Sequence, residues 1–131
     1  MTEIVVITHG CLAKEFVSIA ESIVDRVTNV IPVCFDLNLD PAEYNRKIMN
    51  VMESIHPEHS VIILTDLFGG TPSNISIPFV KKGKVEVITG LNLPMLMYLL
   101  NQPEDVDFQE LCSNVKRVGQ EAIIIAGEFL T

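Results

Sequence analysis

Ile4-Val5-Val6-Ile7-Thr8-His9-Gly10 is the stretch on which the reading of this chain turns. Four consecutive β-branched apolar residues form the kind of run expected of a strand buried on both faces, inside a parallel sheet. The run breaks at a hydroxyl, an imidazole and a glycine. Leu12, Phe16, Ile19, Ala20 and Ile23 then recur at helical spacing and predict a helix over residues 12–27. His9 therefore falls in the turn between the carboxyl end of a strand and the start of a helix. In an open α/β sheet that edge binds ligands, because the loops diverge there and leave a crevice. Alone, however, a histidine is more often a solvated or hydrogen-bonded structural residue than a catalytic one.

The same alternation continues outward from this stretch. Residues 30–35 (VIPVCF) read as a second strand, placed at a sheet edge by Pro32. After a loop at 36–40, Asp40-Pro41 opens a helix with Ile48, Val51, Met52 and Ile55 on its inner face. Residues 61–65 form a third strand, followed by Asp66-Leu67-Phe68-Gly69-Gly70-Thr71-Pro72-Ser73-Asn74. Thr71-Pro72 reads as an N-cap and first residue of a helix over 72–82, with Pro78 a kink or early break. A fourth strand at 85–89 leads to Asn92, read as a helix cap rather than a ligand, and a helix over 95–101. A last helix over 108–119 precedes a strand-like run at 122–126.

Composition narrows the function classes. A length of 131 residues suits one domain, spanning 1–131, and 48% hydrophobic with 20% charged residues is a globular balance. The net charge of -8 argues against a nucleic-acid partner, whose binding needs clustered Lys and Arg. Lys81-Lys82-Gly83-Lys84 and Lys116-Arg117 read as solvated helix ends. No apolar segment reaches the ~20 residues of a membrane span and no signal peptide is visible, so a cytoplasmic location is expected. Cys11, Cys34 and Cys112 lack metal-ligand spacing and read as reduced thiols, with Cys11 a bystander at a helix start. His56 and His59 sit in a polar loop without a third ligand, and no metal site is expected.

Alternating strands and helices imply a doubly wound α/β sheet of flavodoxin-like order 2-1-3-4. That order puts strands one and three side by side at the switch point, with His9 and Asp66 at their carboxyl ends. A carboxylate on one ring nitrogen fixes the imidazole tautomer and leaves the other nitrogen as a nucleophile. Gly10, Gly69, Gly70 and Thr71 are the candidate phosphate-binding residues, offering backbone N–H groups and a hydroxyl to a phosphoryl group. The pair and the anion cradle point to phosphoryl transfer through a phosphohistidine. Each accessory residue has a plainer use: turn geometry for the glycines, helix capping for Asp66 and Thr71, local hydrogen bonding for Asn74.

Thr8-His9-Gly10 after the first strand, LTDLFGGTPSN at 64–74 and TGLNLPML at 89–96 together resemble the IIA component of the mannose-type sugar phosphotransferase system (mannose, fructose, sorbose), along essentially the whole chain. The resemblance implies a protein-histidine phosphotransferase component in which His9, through its Nε2 side, takes a phosphoryl group from the histidine phosphocarrier protein and passes it to a IIB component. Asp66 would orient His9, and Thr71 would supply the hydroxyl near the phosphoryl group. No metal or diffusible cofactor is implied. It further implies a homodimer in which a C-terminal strand crosses to the neighbouring subunit, which would account for the run at 122–126, and leaves room for peripheral association with membrane permease components. Many relatives continue into a fused IIB domain, so action on a separate protein is expected here. Thr71 stands where serine is often found, and Phe68 where some relatives carry tryptophan.

Three other functions share these features. A regulatory IIA-type protein would use its phosphorylation state to control a partner rather than to feed sugar transport. The phosphoryl-donating subunit of dihydroxyacetone kinase resembles this fold but usually continues into further carrier domains. A flavin-binding module would want an aromatic platform, and the chain has no Trp and two Tyr.

Overall fold

The computed structural model describes residues 1–36 and 38–130; Leu37, in the expected loop at 36–40, and Thr131 lie outside them. The chain runs β1 (Thr2–His9), α1 (Leu12–Val24), β2 (Ile31–Phe35), α2 (Pro41–Ser54), β3 (Ser60–Thr65), α3 (Thr71–Ser76), a 3-10 turn (Ile77–Phe79), β4 (Val85–Ile88), α4 (Leu93–Leu100), α5 (Phe108–Glu121) and a second 3-10 turn (Ala126–Phe129). The four strands are parallel in the order β2-β1-β3-β4, as the alternation predicts. Pro32 lies on edge strand β2, where its missing N–H breaks no interior ladder.

Side chains alternate across β1 and β3 into two cores. Val6, Ile62 and Leu64 face α1, α4 and α5, whereas Val5, Ile7, Val61 and Ile63 face α2 and α3. These strand residues are at most 3% exposed, so both faces of the central strands are sealed and only their ends are open to chemistry. In register, Ile7 lies opposite Thr65, so the two chains leave the sheet side by side at its carboxyl edge.

Four local differences from the sequence reading have physical causes. Helix α1 buries Ala13, Val17 and Ala20 and leaves Leu12, Ile19 and Ile23 exposed. It carries two apolar stripes, and the one with the small side chains permits close approach to the sheet. The helix also stops at Val24 rather than near 27, because Asp25 takes a left-handed conformation (φ 57°) that closes it. Helix α3 ends at Ser76 instead of reaching Lys82. Pro78 has no N–H to continue the ladder, and the chain passes into the 3-10 turn. Lys81 and Lys84 consequently belong to a tight turn before β4, closed by Lys84 N–H on Lys81 O at 2.9 Å, and not to a helix end. Finally, the run at 122–126 is not a strand: Ala122 ends α5, and Ile123, Ile124 and Ile125 are 78%, 56% and 66% exposed. A strand needs a ladder partner, and this chain's own sheet supplies none at that place among the described residues.

Candidate active site at the carboxyl edge of the sheet

His9 and Asp66, 57 positions apart in sequence, meet where β1 and β3 end. Asp66 Oδ2 lies 3.0 Å from His9 Nδ1 and also accepts the His9 backbone N–H at 3.1 Å. A carboxylate can only accept, so in the neutral ring Nδ1 carries the proton and Nε2 keeps its lone pair. Two bonds from one oxygen to one residue fix both the main chain and the ring. The His9 side chain is 35% exposed and Asp66 15%, which leaves the ring reachable while its orienting acid is largely covered.

The Cε1–Nε2 side of the ring rests on Gly70. A Cβ added there would stand 2.7 Å from His9 Cε1 and 3.1 Å from Nε2, so only a glycine lets the backbone come this close. Gly69, at φ 85°, makes the preceding left-handed turn. Thr8 anchors the ring's own turn from inside. Its fully buried hydroxyl accepts the Ala13 N–H at 2.6 Å and donates to His9 O at 3.2 Å, supplying α1 with the cap that Cys11, at the N-cap position, does not provide.

The remaining sequence candidates divide by where their N–H groups go. Gly10 is committed to β2: its N–H donates to Phe35 O at 2.8 Å, and its carbonyl accepts from Phe35 N–H at 3.2 Å. It shapes the turn and has no amide left for an anion. Gly69 N–H is likewise used, by Ser73 Oγ at 3.0 Å. Among the described residues the N–H groups of Gly70 and Thr71 have no protein acceptor. Thr71 is not the N-cap that the Thr-Pro pair predicts; Gly70 holds that position, and Thr71 is the exposed first residue of α3. Asn92 does cap α4, accepting the Met95 N–H at 3.1 Å. Ser73, which the sequence reading passed over, is the hydroxyl tied to this turn: it accepts the Gly69 N–H and donates to Gly70 O, while α3 has no side-chain cap. The signal available was a hydroxyl residue four positions beyond the first of two adjacent glycines.

Other groups stay apart from this site. Cys112 borders a groove of about 530 Å³ between β4 and α5, lined also by Glu86, Asn92, Lys116 and Ile123. Burial, with the Glu86 carboxylate adding to it, pushes its thiol up to about 11, far from a reactive thiolate at neutral pH. Tyr44 stacks on Phe35 with ring centroids 3.6 Å apart, and burial together with the charge of Asp36 raises its hydroxyl pKa. Among the described residues no group of three or more His, Cys, Asp or Glu is placed to hold a metal ion. No helix among them is long and apolar enough to cross a membrane.

Fold and site together define a flavodoxin-like α/β protein with a carboxylate-oriented histidine at its switch point. The sequence profile of the family described as "PTS system fructose IIA component" matches residues 3–116, and the chain belongs to that family, the mannose-type IIA components of the sugar phosphotransferase system. It is 31% identical over 130 residues to the sorbose-specific EIIA component of Lacticaseibacillus casei, covering 98% of this chain and 94% of that one. With the fructose-specific EIIA component of Bacillus subtilis it shares 27% over 131 residues, covering 99% and 90%. It also matches the mannose-specific EIIAB component of Escherichia coli K12 at 30%, but spans only 38% of that longer chain against 92% of its own. A solved EIIA component from Streptococcus agalactiae superposes with a TM-score of 0.85 at 25% identity, covering 98% of this chain and 99% of the other.

Proposed function

We propose that this IIA component carries a phosphoryl group on His9 Nε2, accepting it from the histidine phosphocarrier protein and passing it to a IIB component in sugar uptake. The observation that carries the proposal is the asymmetry of the ring: Nδ1 is bound to Asp66 at 3.0 Å, while the Nε2 edge is turned to a glycine backbone. The Nε2 lone pair attacks the donor phosphorus. The new N–P bond forms as the donor's N–P bond breaks, its electron pair returning to the donor imidazole. Asp66 keeps the Nδ1 proton in place and offsets the positive charge that the ring acquires. Transfer onward to the IIB component is the same step with His9 as the leaving group.

The amides free to meet the phosphoryl oxygens are those of Gly70 and Thr71. Gly70 O accepts the Asn74 N–H at 3.0 Å, from within the helix. In a planar trans peptide the Thr71 N–H points the opposite way, out of the helix. Gly10 and Gly69 contribute by shaping the two turns, and the Thr71 hydroxyl adds a donor at the rim. The proposal includes a cytoplasmic location and peripheral contact with permease components. Uptake is preferred to a purely regulatory role because the relatives are sugar-specific components by name.

The test is incubation with enzyme I, the phosphocarrier protein and phosphoenolpyruvate. An acid-labile, base-stable label should appear on the wild-type chain and vanish in His9→Ala; full labelling of the variant would defeat the proposal.

A homodimer completes the reading. β4 ends the sheet, and among the described residues its outer edge has no strand partner beyond the Lys81–Val85 bridge; the exposed run Ile123-Ile124-Ile125 lies beyond α5, suited to crossing onto the partner's β4. Sedimentation equilibrium should return twice the chain mass, and a monomer mass at working concentration would remove this part.

A further inference from the structure

We infer that Ser73 is a positioning residue for the His9 imidazole, acting through the glycine turn; this rests on His9 being the phosphoryl acceptor. Ser73 is fully buried, and its hydroxyl is used in both directions, accepting the Gly69 N–H at 3.0 Å and donating to Gly70 O at 3.1 Å. It thereby ties both glycines of the turn to the first turn of α3 from within the fold. Among the described residues the other side chain that hydrogen-bonds to these glycines is Asn74, whose Nδ2 donates to Gly69 O at 3.3 Å; Asn74 is exposed, so water competes for that bond.

The turn matters because of what lies against it. The His9 ring is held between two surfaces, Asp66 on Nδ1 and the Gly70 backbone on the Nε2–Cε1 edge. Space for a Cβ at Gly70 is already filled by the ring, the built atom falling 2.7 Å from Cε1. A turn that moves toward the ring displaces it, and a turn that moves away releases it to swing about the Asp66 bond. Either motion redirects the Nε2 lone pair. In-line attack on phosphorus depends on that direction, and a displacement near 1 Å can cost on the order of 100-fold in rate. Both partners of the Ser73 hydroxyl are main-chain groups of the turn and neither is the ring, so its effect travels through the backbone.

A merely structural role for Ser73 would lower stability without altering the ring. The experiment therefore measures three things on Ser73→Ala: thermal unfolding, the transfer rate from phosphorylated phosphocarrier per folded molecule, and the imidazole 15N resonances of His9. We expect a folded protein, a rate lower by about tenfold, and His9 resonances moved toward a tautomer mixture, with Ser73→Thr recovering part of both losses. A folded Ser73→Ala with wild-type rate, or with a lower rate and unmoved His9 resonances, overturns the inference. Should Ser73→Ala not fold, Gly70→Ala probes the same contact from the other side, and unmoved resonances there overturn it equally. Labelling that persists in His9→Ala would instead sink the phosphoryl-carrier reading, while the resonances still decide whether Ser73 holds the ring.

Discussion

Among the described residues there are two histidine–carboxylate pairs, one at each end of the same two strands. At the carboxyl end His9 Nδ1 lies 3.0 Å from Asp66 Oδ2, and at the amino end His59 Nδ1 lies 3.1 Å from Glu3 Oε1. Exposure hardly separates them, at 35% and 15% for the first pair and 28% and 16% for the second. What separates them is the other side of each ring. His9 faces the backbone of Gly70 beside two amides without acceptors, whereas His59 stacks on His56 with centroids 4.8 Å apart. Distance and burial of a histidine–carboxylate pair thus do not make a site. The difference lies in a free nitrogen that opens onto a turn with unused donors, at the end of the sheet where the connections diverge.

The comparison is broken most directly by neutralising each acid in turn. Asp66→Asn can still accept the His9 backbone N–H, but it would no longer offset the charge proposed to form on the ring and no longer enforce the Nδ1–H tautomer. Phosphoryl transfer should fall by about 100-fold or more. Glu3→Gln, made at the matched pair, should leave the rate within about twofold of wild type, as expected for a distant site without shared contacts. Both are read by rapid-quench transfer from the phosphorylated phosphocarrier. Comparable losses in the two variants would mean that the ends of the sheet are coupled and that the contrast drawn between them is false.

The same contrast shows what could be read in advance. His9 and Asp66 were legible as a pair because two apolar runs of strand length end in polar residues, and the crossover rule leaves few strand orders. Their meeting follows from topology alone. Ser73 was not legible, since Thr71-Pro72 is a stronger capping signature than a serine two positions later, and only the path of the Gly69-Gly70 turn decides which hydroxyl it meets. The buried face of α1 was misread for a related reason. Ala20 was on the expected face and is buried, but Leu12, Ile19 and Ile23 outweigh Ala13 in any hydropathy count, whereas close packing on a sheet favours the smaller side chains. Nor can periodicity show that Ile123-Ile124-Ile125 lacks a partner within its own chain, because pairing belongs to the assembled sheet.

Stability sharpens the contrast at a finer scale. Thr8 is part of the carboxyl end, and its buried hydroxyl is the acceptor for the Ala13 N–H at 2.6 Å. Thr8→Val keeps the shape and strands that donor inside the protein, at a cost of ~1–3 kcal/mol. For a chain of 131 residues that corresponds to a fall of several degrees, roughly 3–10 °C, in Tm. Glu3→Gln weakens a partly exposed hydrogen bond whose groups can turn to water, which costs ~0.2–1 kcal/mol. Differential scanning calorimetry distinguishes the two by size, the second loss being the smaller. A Glu3→Gln penalty equal to that of Thr8→Val would make the amino-end pair a buried structural bond and leave the two ends of the sheet alike in what their acids do.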